Sequence, residues 1–312
     1  MRHSLFKIGM YCLAAISANG LIANTKNIGN PIGTNFPTDA EGRVYHLGLK
    51  KGEIANSILL VGDPDRAKLI VQLLDDPKHV FTYASNRGFT TYTGTKNGKP
   101  VTIMSIGMGL PMMDFAIREI RAITEGPLSI IRLGSCGTPH DDIAVGSLVV
   151  ASESYCITTN FEAYHENERP ESCLGYFNVT TPIKPDTSLN NNLVSALEKE
   201  SKGSFPVIKA MDATADSFYG SQGRTDEKFD DRNKGLIDSI MRLYPSTGSL
   251  QMETYLLFHL AKLHEYSVKV PIRTAACAIV LAQRKSDAFL SNDLKHELEI
   301  KAGNACLAAL VE

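Results

Sequence analysis

The sequence predicts an α/β fold, a single domain with a central mixed, twisted β-sheet surrounded by helices. Two observations carry this. From about residue 42 onward, short β-rich apolar runs alternate with runs of helical periodicity. No linker rich in Pro, Gly or Ser divides that alternation and no internal repeat is present. The 312 residues therefore read as one domain over 41–312, preceded by an extension over 1–40.

The elements follow in order. Residues 57–62 (Ser-Ile-Leu-Leu-Val-Gly) read as a buried strand. Asp63 is placed to cap a helix whose first turn tolerates Pro64 and whose apolar face is Ala67, Ile70, Val71 and Leu74. Residues 89–95 and 101–106 are strands flanking Lys96-Asn-Gly-Lys99, a hairpin signal. A helix over about 112–123 follows. Residues 129–133 are a strand, after which Gly134-Ser-Cys-Gly137 is expected to turn sharply. A long strand over 145–157, a helix over 189–200 and a strand over 207–214 come next. A helix over 251–263, a strand over 268–282 and a helix over 293–311 complete the chain. Ligands of such folds sit beyond the carboxyl ends of the strands, so the loops there are where a site is sought.

Composition narrows the chemistry. Charged residues are 21% of the chain, the net charge is −2, and no basic stripe is present, which argues against nucleic acid as a partner. The absence of Trp and the scarcity of aromatics argue against a stacking platform for single strands. The six cysteines (12, 136, 156, 173, 277, 306) contain no CxxC pair, and the histidines show no metal-binding spacing, so neither a disulfide framework nor a metal site is expected. Asn178-Val-Thr180 is a glycosylation sequon of a kind that chance often produces. Arg2, His3 and Lys7 precede an apolar run, 8–23, interrupted by Gly9, Ser17, Asn19 and Gly20. This leader reads equally as a secretory signal, a transit segment or a disordered extension, and it is too interrupted to span a bilayer. No later segment reads as transmembrane. A cytoplasmic location is expected, with secretion or organelle import left open by the leader.

Six segments at strand ends and loops carry candidate chemistry. Asp216-Ser-Phe-Tyr-Gly-Ser-Gln-Gly-Arg224 is the richest: Phe218 offers an aromatic face, Gln222 a donor and acceptor, Arg224 a fixed cation, and Gly220 and Gly223 let the backbone bend. A flat polar heterocycle needs that set. Gly62-Asp-Pro-Asp-Arg66 places a glycine and an Arg where a strand gives way to a helix, a place that attracts anions. Arg132, near the end of an apolar strand, is costly there unless paired, and Ser135 adds a hydroxyl. Gly107-Met-Gly109-Leu-Pro111 is a third strand-to-helix opening. Gln251-Met252-Glu253-Thr254 opens a helix with a flexible apolar surface beside a strong acceptor, a pair suited to a sugar. Tyr45-His46 and Arg87 have no evident link to the rest. Each segment alone also admits a structural reading as a turn, a paired Arg or a first-turn Glu, and Cys136 reads as a packing residue.

Taken in order, Tyr-His-Leu-Gly-Leu, Gly-Asp-Pro-Asp-Arg, Asn-Arg-Gly-Phe-Thr-Thr, Gly-Met-Gly-Leu-Pro, Arg-Leu-Gly-Ser-Cys-Gly, Asp-Ser-Phe-Tyr-x-x-Gln-x-Arg and Gln-Met-Glu resemble the nucleoside phosphorylase family, specifically its uridine phosphorylase branch. The resemblance covers about residues 43–312. It implies a nucleoside phosphorylase-like fold and a homodimer or larger homo-oligomer with shared active sites. It implies inorganic phosphate as co-substrate, and no cofactor. Gly62, Arg66, Arg132 and Ser135 match the phosphate site, with Arg87 supplied by the neighbouring subunit. Met252 and Glu253 match the ribose site, with His46 from that same neighbour. Phe218, Gln222, Arg224 and Arg284 match the base site, with Leu281 and Ala282 as its apolar wall. Arg224, Gln222, Glu253 and Arg132 would carry the catalysis. The implied reaction is phosphate-dependent cleavage of uridine, deoxyuridine or thymidine. A purine nucleoside phosphorylase, a nucleosidase and a non-catalytic nucleoside-binding protein are the alternatives.

The match has departures. Gln251 stands where some bacterial members carry Glu. Gly88 replaces an acidic residue that binds a monovalent cation in some relatives, so that site is not carried over. Met112 and Met113 replace small polar residues, and 226–249 shows no family pattern.

Overall fold

The computed structural model describes residues 29–165 and 170–312. The leader at 1–28 lies outside them. Residues 29–40, placed in the extension on sequence grounds, carry bridges from Ile32 to Thr38 and from Thr38 to Val44. The Asp39 carboxylate accepts from the backbone N–H groups of Gly29, Glu41 and Arg43.

Strand β1 (Ser57–Val61) runs parallel to both of its neighbours and is buried on both faces, which is why it reads as an unbroken apolar run. Helix α1 (Pro64–Val71) begins at once, its N-cap Asp63 accepting from the N–H of Asp65 at 2.8 Å. Strand β2 (Phe81–Ala84) was not expected from sequence; it is a four-residue edge strand antiparallel to β3 (Thr90–Lys96). The hairpin from β3 to β4 (Lys99–Ser105) turns at Asn97 and Gly98, both with positive φ (52° and 72°), and the Asp75 carboxylate accepts from both of their N–H groups. Helix α2 (Leu110–Ile123) follows.

Two expectations are corrected next. Strand β5 (Leu128–Thr138) runs straight through Gly134–Gly137 instead of turning there, because β10 (Ile272–Gln283) lies parallel alongside and pairs as far as Thr138. Gly134 serves packing: a Cβ there would stand 1.9 Å from Nη1 of Arg132, whose side chain folds back over the strand. Strand β6 (Leu148–Thr159) pairs with β7 (Phe177–Val179) and β8 (Val207–Ala215), with helix α3 (Thr187–Ser201) between the latter two in sequence. The unassigned stretch 226–249 supplies helix α4 (Leu236–Leu243) and the start of β9 (Thr247–Gln251). The helix expected from 251 starts only at Thr254, as α5 (Thr254–Ser267), so Gln251 ends a strand and Glu253 is the residue before the helix. β11 (Ala288–Phe289) and α6 (Asn292–Val311) close the order.

Strands β5, β10, β6, β8 and β9 form a ring. It closes where β9 meets β5 through the pair Leu250–Gly137. β1, β4, β3 and β2 extend from β5 as an open sheet. One core cluster joins β1, β4 and β5 to α1, α3 and α6, and a second packs α2 and α5 against the opposite face. The carboxyl ends of β1, β4, β5, β9 and β10 face the same region, where the site lies.

α6 touches α1 at Gly303, where an added Cβ would come within 2.6 Å of Ile70. Gly303→Val should therefore destabilise the protein by about 1–3 kcal/mol through overpacking, read as a lowered denaturant midpoint.

Candidate active site

A cavity of about 640 Å³ opens at these strand ends. It is lined by every residue matched in this chain to the phosphate, ribose and base sites except His46, Arg87 and Arg284.

Two buried arginines form its floor. Arg66, on the first turn of α1, donates from Nε to Glu299 of α6 at 2.9 Å and from Nη1 to the carbonyl of Leu133 at 3.2 Å. Arg132, on β5, donates from Nη2 to Oε2 of Glu253. Both pairs are almost wholly withdrawn from solvent, with side-chain exposures of 2–6%. A cation at such depth is tolerated only with a counter-charge, and each arginine has one. Nη1 of Arg132 is buried and has no hydrogen-bond partner among the described residues. Ser135 stands three residues further along β5 and also lines the cavity. Sequence reasoning missed both Glu299 and Lys295. Lys295 lines the cavity one helical turn before Glu299, its Nζ 3.7 Å from the same Oε1 that holds Arg66. The i, i+4 Lys–Glu spacing on a predicted helix was the only signal available, and it marks ordinary helix surfaces equally well.

Glu253 is fixed from three sides. Its Oε1 accepts from the N–H of Gly109 at 2.7 Å, Oε2 from Arg132, and its own N–H donates to Oε1 of Gln251 at 2.7 Å. Met252 beside it lines the cavity.

The opposite wall is the segment Asp216–Arg224. Asp216 accepts from the N–H of Thr159 at 2.7 Å and from the Ser221 hydroxyl, pinning the turn to β6. Gly223 takes φ 62°, a conformation glycine adopts without strain. Gln222 is buried while Phe218 is half exposed. Arg224 lies 3.8 Å over the Phe218 ring and donates to the carbonyl of Phe218 and to Oε1 of Gln222, each at 2.7 Å. The second of these bonds orients the Gln222 amide. Burial, and then the neighbouring Arg284 cation, push the Arg224 guanidinium down to about 10, which leaves it charged at neutral pH. Arg284 sits behind this wall, not on it: it donates to the carbonyls of Gln222 and Gly223 at 2.9 and 3.2 Å. Leu281 and Ala282, just before it on β10, reach the cavity.

Tyr45, His46 and Arg87, unlinked in the sequence, are brought together away from this chain's cavity. Arg87 donates to the Tyr45 hydroxyl at 2.8 Å, and the Tyr45 and His46 rings meet edge to face. His46 bonds through Nδ1 to Glu119 at 2.6 Å and stacks on Phe115 at 3.8 Å. Cys136 lines the cavity, but burial pushes its thiol far above the usual range, so it is no thiolate nucleophile at neutral pH.

A closed strand ring with a cavity of paired arginines at its rim defines the class, and comparison with known proteins gives it a name. The chain belongs to the phosphorylase superfamily, whose profile matches residues 57–311. It is similar to a uridine phosphorylase of Thermococcus kodakarensis, 29% identical over 255 residues that cover 81% of this chain and 82% of that protein. A DeoD-type purine nucleoside phosphorylase of Colwellia psychrerythraea is 35% identical over 57% of this chain and 68% of its own. Among solved structures, a uridine phosphorylase of the oomycete Phytophthora capsici superposes with a TM-score of 0.84 at 35% identity, over 91% of this chain and 99% of that one. A Trypanosoma brucei nucleoside phosphorylase shares the fold at 22% identity and a TM-score of 0.73.

Removing one partner of a buried ion pair strands the other. Glu299→Ala should cost about 3–5 kcal/mol of stability, measured by urea unfolding. Lys295→Ala, at the half-buried end of the same cluster, should cost much less.

Proposed function

We propose that this protein is a uridine phosphorylase, cleaving uridine with inorganic phosphate to uracil and ribose 1-phosphate. The observation that carries this reading is the convergence of Arg66, Arg132 and Ser135 with the Phe218–Gln222–Arg224 wall on one cavity, together with the buried, unpartnered Nη1 of Arg132. A buried donor without an acceptor is costly unless a ligand completes it, and a phosphate oxygen does so.

The reaction follows from the groups. A phosphate oxygen forms a bond to C1′ of the nucleoside as the glycosidic C–N bond breaks, and the bonding pair leaves with the base. Arg66, Arg132, Ser135 and the backbone at Gly62 hold the phosphate, each charge-assisted hydrogen bond contributing roughly 1.5–3 kcal/mol. Glu253 accepts from the ribose hydroxyls and Met252 packs beneath the ring, which fixes C1′ before the phosphate. Gln222 and Arg224 take up the negative charge that gathers on the departing uracil. Phe218, Leu281 and Ala282 bound the plane of the ring, and Arg284 holds the loop that presents Gln222. The Tyr45–His46–Arg87 cluster, in which Arg87 is exposed and Tyr45 and His46 are partly buried, fits a homodimer in which Arg87 and His46 of one protomer complete the phosphate and ribose sites of the other. No cofactor enters this scheme.

Purine nucleoside phosphorylases are among the relatives, and they define the second reading. A purine leaving group needs a proton near N7, and the strand end here reads Leu281-Ala282-Gln283-Arg284, with no acid before the exposed Asp287. This favours the pyrimidine.

Uracil release from uridine, followed by chromatography, should require phosphate; release at full rate without it would overturn the reading, and preferential turnover of inosine would favour the purine alternative. Arg224→Ala should lower kcat about 10²-fold, because it removes a group that acts on the leaving base, and should leave the KM for phosphate nearly unchanged.

A further inference from the structure

Behind Glu253 lies a buried carboxylate that the reaction scheme does not use. Asp212, on β8, is 2% exposed and does not line the cavity. Its Oδ2 accepts from Ser154 Oγ at 2.6 Å, Thr214 Oγ1 at 2.9 Å and Gln251 Nε2 at 2.6 Å. Its Oδ1 accepts from Ser249 Oγ at 2.7 Å. Four donors from three neighbouring strands converge on one carboxylate, and none of them is a cation. Burial pushes the Asp212 carboxyl up, and the four hydrogen bonds offset this only in part. Keeping a carboxyl group at such depth is costly.

Gln251 gives that carboxylate a direction. Its Nε2 is committed to Asp212 and to Thr214 Oγ1, so its Oε1 faces the other way. There it accepts from the N–H of Glu253 at 2.7 Å and of Thr254 at 3.3 Å, two of the backbone donors that the start of α5 leaves without partners. Thr214 Oγ1 takes the next one, from Tyr255, at 2.9 Å. The amide cannot be reversed without setting N–H against N–H. The group at 212 therefore sets the orientation at 251, which sets the backbone at 253, whose carboxylate in turn holds Gly109 and Arg132.

We propose that Asp212 is a positioning residue for Glu253, acting through the Gln251 amide. The proposal rests on the assignment of Glu253 to the ribose. What Gln251 needs at 212 is an acceptor, not a charge. An amide at 212 meets that need: its oxygen takes the place of Oδ2, and its NH2 group donates to the Ser249 hydroxyl, which can accept. A leucine at 212 has a similar size and no acceptor, so Nε2 of Gln251 loses its buried partner and the amide no longer fixes the backbone at Glu253.

The test uses three full-length proteins: wild type, Asp212→Asn and Asp212→Leu. Steady-state kinetics are measured for uridine and phosphate separately. Asp212→Leu should lower kcat/KM for uridine at least about 30-fold and shift the KM for phosphate less than about three-fold. Asp212→Asn should stay within about five-fold of wild type, because its oxygen still accepts from Gln251. A residue that only fills space would tolerate the leucine as well as the asparagine. Asp212→Leu within three-fold of wild type overturns the proposal, as does Asp212→Asn no better than Asp212→Leu. If Asp212→Leu does not accumulate folded, Gln251→Leu decides: the same uridine-selective loss in a folded protein supports the proposal, whereas activity within three-fold of wild type, or failure to fold, overturns it. A wild type with no phosphate-dependent uracil release overturns the functional reading and this inference with it, whereas an active wild type with unaffected variants overturns this inference alone.

Discussion

The ion pair between Arg132 and Glu253 is the constraint on which the rest of the site depends. It joins the middle of β5 to the residue before α5, two elements separated by more than a hundred positions, and both partners are buried. Neither charge could remain at that depth alone. Gly134 must lack a side chain so that the guanidinium can lie back over its own strand. Gly109 must present its N–H to the second carboxylate oxygen, which fixes the turn into α2. The same pairing leaves one nitrogen of Arg132 unbonded. Arg66, which lines the same cavity, has its own buried partner in Glu299, and that pair joins α1 to α6.

Much of this was legible in the sequence, and the reasons are local. The Asn97-Gly98 turn announces its hairpin because only a few residues take positive φ cheaply at both central positions. β1 and α1 follow from an apolar run, a capping Asp and a first-turn Pro. The motifs at 62–66, 132–135, 216–224 and 251–253 all converge on one cavity, save that Arg284 stands behind it. What failed was non-local. Gly134 looked like a turn because its constraint comes from a side chain, not from φ. β9 escaped notice because Thr-Gly-Ser-Leu-Gln has no β-branched run; it is a strand because β8 and β5 flank it, and Gly248 lets it lie close against Ala210. Glu299 was invisible because nothing near it in sequence points to an Arg 233 residues away.

The cavity wall formed by Asp216–Arg224 is braced from several elements of the fold. Asp216 ties its start to β6, Asn233 accepts the task of holding the carbonyls of Gly220 and Arg224, and Arg284 holds those of Gln222 and Gly223. Four of the five residues from Gly220 to Arg224 are thereby held by side chains from outside the turn. Polar groups held in this way keep their directions without a ligand to set them.

The position of α6 in the chain has a bearing on when the site can exist. This helix follows all eleven strands of the described sheet, yet it carries the counter-charge of Arg66, which lies near the first of them. Until α6 docks, the sheet holds an uncompensated cation at the place where α1 meets it. Strand pairing does not by itself complete the cavity floor, because the carboxylate that balances Arg66 comes from α6. A change confined to α6 therefore reaches the cavity floor without touching a strand.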